Sequence, residues 1–139
     1  MRGYRWLGLV LACGLVSCAK APNHPPVYPV KGRVLFEGKP APGAVVILHS
    51  STDEPAKATR PHARADANGE FELTTYRTGD GAPAGTYVVT LEWKQAGDHP
   101  EQGAELLPPV YGDPSTSKLR ATVAPGPNEP LILQLTARP

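Results

Sequence analysis

Among the residues able to do chemistry, His49-Ser50-Ser51 with Asp53 close behind puts an imidazole, two hydroxyls and a carboxylate together, the components of a nucleophilic triad. The spacing works against that use. Ala44–His49 reads as a strand, and neighbours on a strand point to opposite faces, so His49 and Ser50 do not share a hydrogen bond directly. No Gly-x-Ser-x-Gly turn is present to present a serine nucleophile. Ser50–Asp53 is read as a strand end entering a loop. Asp66-Ala67-Asn68-Gly69-Glu70 offers oxygen ligands of the kind that hold calcium, but a helix–loop–helix calcium site needs glycine at its sixth position, and here glycine is fourth. A hairpin turn accounts for the same residues without a metal. His24, His49, His62 and His99 show neither HxH nor HxxxH spacing. The sequence therefore predicts no catalytic residue, no metal centre and no small-molecule cofactor.

Two stretches carry recognition chemistry instead. Arg60, His62 and Arg64 recur at every second position, which places them on one face of a strand as a small cationic stripe. Glu70 and Glu72 across a hairpin are their expected partners; an anionic glycan or an acidic envelope protein is the alternative. The connection Trp93–Gly112 is longer than the usual 12–15-residue limit for a structureless loop. Leu106, Leu107, Val110 and Tyr111 are expected to pin its end to the core, and Trp93 with Tyr111 is the candidate binding surface, since binding residues concentrate on long loops.

The N-terminus supplies the third feature. Arg2 and Arg5 precede Leu7–Val16, a ten-residue apolar run too short to span a bilayer at roughly 20 residues. Leu15-Val16-Ser17-Cys18 follows and resembles the lipobox of bacterial lipoproteins, in which small residues admit a peptidase and the cysteine thiol carries diacylglycerol. Val10-Leu11-Ala12-Cys13 fits the same pattern more loosely and would leave an apolar run of only about six residues, below the usual range. Residues 1–17 are thus expected to be a cleaved signal peptide, with Cys18 the lipid attachment site and the membrane the partner of that anchor. The mature chain would hold one cysteine, already acylated, which removes thiol catalysis and cysteine-based metal sites. Several acyl chains on one residue suffice for stable anchoring. In the lipoproteins that this segment resembles, Asp after the cysteine favours the inner membrane; Ala19 stands there, so a cell-envelope location with the outer membrane favoured is expected. Ala19–Pro29, with Pro22, Pro25, Pro26 and Pro29, is expected to be an extended tether in which His24 and Tyr28 are exposed.

These features need elements to position them. Proline and glycine make up 31 of 139 residues, roughly a fifth against about 12% in ordinary chains, so the chain is rich in turns. Fourteen basic residues against 13 acidic ones leave no nucleic-acid footprint. Seven runs read as strands: Val30–Phe36, Ala44–His49, Thr59–Ala65, Glu70–Tyr76, Gly85–Trp93, Ser117–Val123 and Glu129–Thr136. No run of the mature chain keeps a 3.6-residue period over three turns. The expected fold is all-β, a single seven-stranded sandwich over residues 30–136. Alternation puts Tyr87, Val89, Leu91 and Trp93 inward and Thr86, Val88, Thr90 and Glu92 outward. Leu119, Ala121, Val123, Leu131, Leu133 and Leu135 face inward as well, and Ala44–Leu48, apolar on both faces, is a central strand. Burying Phe71 and Leu73 while exposing His62 and Arg64 selects a three-residue turn, Ala67-Asn68-Gly69, with Gly69 left-handed and Arg64 opposite Glu72.

Gly32-Arg33-Val34, Gly38-Lys39-Pro40-Ala41-Pro42-Gly43-Ala44-Val45-Val46, Asp66–Phe71, Ala84–Val89 and the tail Pro109–Leu119 with Asn128 resemble the carboxypeptidase regulatory-like domain, and with the lipobox they resemble the small lipoproteins of this type found in planctomycete bacteria. Lys118 and Val110 depart from residues common there. The resemblance covers about Val30–Leu135 and implies a transthyretin-like Greek-key sandwich that serves as a non-catalytic accessory module. Its partner is then an envelope protein or a glycan. A transthyretin-like hydrolase of 5-hydroxyisourate is the enzymatic alternative, but its C-terminal Tyr-Arg-Gly-Ser is replaced here by Leu135-Thr136-Ala137-Arg138-Pro139.

Overall fold

Alternating Val, Ile and Leu with no long helical period leaves strands as the only way to bury the apolar residues, and a computed structural model, which describes residues 23–51, 59–96 and 102–139, is all-β. Ten strands occur: β1 (Val27–Tyr28), β2 (Lys31–Phe36), β3 (Lys39–Pro40), β4 (Val45–Ser50), β5 (His62–Arg64), β6 (Glu70–Glu72), β7 (Ala82–Pro83), β8 (Gly85–Glu92), β9 (Arg120–Val123) and β10 (Leu131–Leu135). A short 3-10 turn covers Pro109–Tyr111, and among the described residues no helix is long and apolar enough to cross a membrane.

One four-stranded sheet has β2 beside parallel β10, with β3 and β6 both on the other edge of β2; the second runs β5-β4-β8-β9. β1 and β7 form a separate two-stranded piece. Val34, Phe71, Leu133 and Leu135 of the first sheet and Val46, Leu48, Ala63, Val89, Leu91, Ala121 and Val123 of the second belong to one buried cluster, so the fold is sandwich-like. β4 lies between β5 and β8, the central position that its apolar faces require. All seven expected strands are present, and three two-residue strands join them.

Six of the seven are shorter than the sequence predicts, and three of them stop short for a visible local reason. β5 starts only at His62 because Pro61 has no N–H to give. After β6 the chain wraps around the Asp80 carboxylate, which accepts from the N–H groups of Thr75, Tyr76 and Arg77. Before β9 the Ser117 hydroxyl takes the carbonyl of Val89 at 2.5 Å, replacing a backbone donor.

The turn at Ala67-Asn68-Gly69 has the expected register. The N–H of Asp66 donates to Glu70 O, His62 and Thr74 exchange both backbone bonds, and Gly69 has φ 75. Between those two closures, however, the strands part: β5 joins β4 and β6 joins β2. Glu72 consequently pairs with Lys31 at 2.6 Å, and the Arg64 guanidinium donates to Gly43 O at 3.3 Å. The predicted Arg64–Glu72 partnership is corrected on this point, since the two residues belong to opposite sheets.

Thr90 is a second correction. It is 3% exposed although it sits on the outer face, because it lies opposite Ile47 and is bonded to the His49 ring. Tyr87, Val89 and Leu91 are buried as alternation predicts, whereas Trp93 is only half-buried at the margin of the core.

Candidate functional site

The register of the second sheet gathers the cationic residues into rows. Directly paired residues share a face, so Arg64, Val45 and Glu92 form one row of the outer face, and His62, Ile47 and Thr90 the next. His49, Val88 and Arg120 form a third, with Arg60 beside His49, where Leu48 N–H donates to Pro61 O. The stripe Arg60–His62–Arg64 is thus part of a broader surface. His49 enters it through β4 and Arg120 through β8 and β9, both by strand order rather than by sequence proximity. Alternation along β9 puts Arg120 outward, but its meeting with His49 needs the strand order of the sheet.

Arg64 does not keep company with the other two cations. Its guanidinium turns toward Gly43 and lines an open groove of about 540 Å³ with Asp66, Glu70, Glu72, Lys31 and Arg33. There its charge stands among carboxylates. Arg60 and His62 stay exposed on the sheet face, with the His62 ring on the Arg60 carbonyl at 3.3 Å. Arg120 holds the carbonyls of Ser117 and Leu119 at 2.8 and 2.9 Å.

His49 is the most constrained titratable group of this face. Its Nε2 is hydrogen-bonded to Thr90 Oγ1 at 2.8 Å. Partial burial, and after it the neighbouring Arg60 guanidinium, pushes the imidazole below its ordinary value. Ser50 follows on the opposite side of β4, paired with Tyr87 while His49 is paired with Val88. That separation is the one expected from strand alternation. Asp53 and His99, like Cys18, lie outside the described residues.

The two loop aromatics make their polar contacts within the domain. Trp93 packs edge-on against Phe36 with ring centroids 5.6 Å apart, and its indole N–H donates to Pro42 O at 2.8 Å. Tyr111 is buried, and its hydroxyl bridges the carbonyl and N–H of Thr136 at 3.3 and 3.0 Å. The strand pairing continues past β8 through a Lys94–Glu105 bridge, and one Glu105 carboxylate oxygen accepts from Trp93 and Leu107 N–H. Leu107 and Tyr111 are buried and Val110 packs against the core as expected, while Leu106 remains exposed. The polar atoms of Trp93 and Tyr111 are therefore committed to the fold.

Asp66 is committed as well. One carboxylate oxygen accepts from Asn68 and Glu70 N–H at 2.8 and 2.9 Å, the arrangement of a turn. Among the described residues no three His, Cys, Asp or Glu side chains cluster as metal ligands.

The segment leading into the domain is docked, which the sequence did not foresee. β1 pairs with β7, Tyr28 is half-buried against the core, and the His24 ring stacks on Tyr76 at 3.9 Å. Tyr87 donates its buried hydroxyl to Pro83 O at 2.7 Å, holding β7 to β8, and burial pushes that phenol upward. Pro25 reaches a hollow formed with Ser50, Ser51 and Thr86. The chain thus enters at the end of the second sheet nearest the Arg60–His49–Arg120 row. Comparison with protein-family models, curated proteins and solved structures finds no match to the chain.

Proposed function

We propose that the protein is a lipid-anchored component of a bacterial cell envelope whose all-β domain is a non-catalytic interaction module. The observation that carries this reading is the order of the N-terminal features: basic residues, the apolar run Leu7–Val16, then Leu15-Val16-Ser17-Cys18 and a proline-rich stretch ahead of the first strand. Cys18 is the lipid attachment site, and Ala19 after it favours the outer membrane. The docking of β1 on β7 supports a display role, because it gives a tethered domain a fixed point of departure rather than a free hinge.

The domain is of the carboxypeptidase regulatory-like, transthyretin-like type. Support comes from its seven longer strands, which divide into β10-β2-β6 and β5-β4-β8-β9, a two-sheet arrangement in which only β2 and β10 run parallel. The non-catalytic assignment is supported by His49, whose ring nitrogen is bonded to Thr90 and whose neighbour Ser50 faces away. The partner is an anionic or acidic envelope component; a glycan platform built on Trp93 and Tyr111 is less favoured, since Tyr111 is buried and the indole N–H of half-buried Trp93 is bonded to Pro42 O.

Expression of the full chain and of Cys18→Ala in a Gram-negative host, followed by membrane fractionation, tests the reading. The wild type is expected in the detergent-extracted membrane fraction and the variant uncleaved or released. Equal distribution of the two would overturn the anchor.

A further inference from the structure

The two outer sheet faces differ in how their charges are compensated. On the first sheet, Lys31 is bonded to Glu72 at 2.6 Å and Arg33 lies opposite Glu70, so cations and carboxylates alternate. On the second, His49, Val88 and Arg120 form a row across β4, β8 and β9, and Arg60, two residues ahead of β5, extends it beside His49. Among the described residues no carboxylate pairs with Arg60 or Arg120. Glu92, the acid of that face, lies two rows away opposite Val45. Half-buried Val45, Ile47 and Val88 make the ground between the charges apolar.

The length of chain between the proposed anchor and the domain bears on what this row meets. Pro25 lies beside Ser50, Ser51 and Thr86, at the end of the sheet where the row lies. Six residues lie between Cys18 and Pro25, so the reach is at most about 20 Å at the rise of a proline-rich segment. An anchor that short keeps this end of the sheet within reach of the bilayer surface. A cationic row with apolar ground between its charges suits anionic phospholipid headgroups, which attract basic residues within a Debye length.

We infer that the outer face of the β5-β4-β8-β9 sheet is a membrane-docking surface, with Arg60 and Arg120 contacting anionic headgroups of the bilayer that holds the Cys18 anchor. The inference rests on the lipid anchor proposed above and adds an orientation: the second sheet faces the membrane, and the first sheet, with the 540 Å³ groove, faces outward. The lipid and the basic row are then two signals acting together.

The test uses the full mature acylated protein in vesicles of phosphatidylcholine alone or with about 30 mol% phosphatidylglycerol, a strongly anionic surface. An environment-sensitive probe is placed on Thr122→Cys, exposed on β9, or on Gln134→Cys, exposed on the opposite sheet. Spin-labelled lipid is expected to quench the Thr122 probe in anionic vesicles and to spare the Gln134 probe. Arg60→Glu should lower the docked-to-undocked ratio about fivefold or more, and about 0.5 M salt should do the same without any substitution, which covers a variant that folds poorly. Equal quenching of both probes, or quenching that persists on neutral vesicles, would overturn the docking surface. Flotation of the vesicles separates the two claims: protein that floats with an unquenched Thr122 probe refutes only the docking face, whereas protein that fails to float refutes the anchor and the docking face together.

Discussion

Replacing Asp80 by alanine removes three backbone bonds at once, from Thr75 N–H at 2.7 Å, Tyr76 N–H at 3.0 Å and Arg77 N–H at 2.9 Å. Burial works against ionisation of this carboxyl, but the N–H groups of Thr75, Arg77, Tyr76 and Asp80 itself together outweigh it and hold the group below its ordinary value. A hydrogen bond to a charged acceptor contributes about 1.5–3 kcal/mol where water is excluded. Asp80 is half-buried, so water recovers part of each bond and the three together are expected to contribute about 2 kcal/mol. At about 4–8 °C per kcal/mol, Asp80→Ala should lower Tm by roughly 10 °C at pH 7. The sign of the pH dependence follows from the depressed value. The contribution is complete above the unfolded carboxyl value of 3.8 and is lost as pH falls through the folded one, so the two melting curves should converge in acid. Asp113, also depressed by its bonds to Ser115, titrates in both proteins and cancels in the difference. The loop carries Tyr76 against His24 and runs into β7, so hydrogen exchange at Val27–Tyr28 should quicken in the variant. A Tm loss below about 2 °C, or a difference unchanged down to pH 2, would refute the assignment of Asp80 as the organiser of this corner.

Three further outcomes are expected. His49, depressed by burial and by Arg60, makes folding less favourable as pH falls below 6.5 because the unfolded chain then binds the extra proton; His49→Gln should flatten the stability profile between pH 7 and pH 5 in urea titrations. Gly32→Ala places a methyl group against the Phe71 ring and the Leu131 carbonyl, where β10, β2 and β6 meet, and a cost of about 3 kcal/mol or more is expected in denaturant unfolding. Trp93→Ala should cost about 2 kcal/mol by the same assay, since it loses half-buried ring area and the bond to Pro42; a loss under about 0.5 kcal/mol would mark Trp93 as a surface residue.

Much of this architecture is local and therefore legible. The inward sets Tyr87–Val89–Leu91 and Leu133–Leu135 follow from a period of two, and the Gly69 turn follows from keeping Arg64 out of the core while Phe71 and Leu73 are in it. Sheet membership is not local. Whether β5 and β6 stay paired or part to opposite sheets depends on the competing partners β4 and β2, whose paired residues lie 15 to 41 positions away in the chain. The same holds for the parallel β2–β10 pair and for the meeting of His49 with Arg120 across β8. β1, β3 and β7 are two residues long, and two of them contain proline, so they carry no pattern of their own and exist because a neighbour supplies the partner. Trp93 and Tyr111 were legible as loop aromatics, but their acceptors, Pro42 and Thr136, come from distant segments.

The proposed lipid anchor is tested most directly by the intact mass of the protein purified from the membrane of a Gram-negative host, with fragmentation of its N-terminal peptide. An anchored protein gives a chain that starts at Cys18 and carries diacylglycerol with a further acyl group. A chain that keeps residues 1–17, or one cleaved there with an unmodified Cys18, would contradict the anchor.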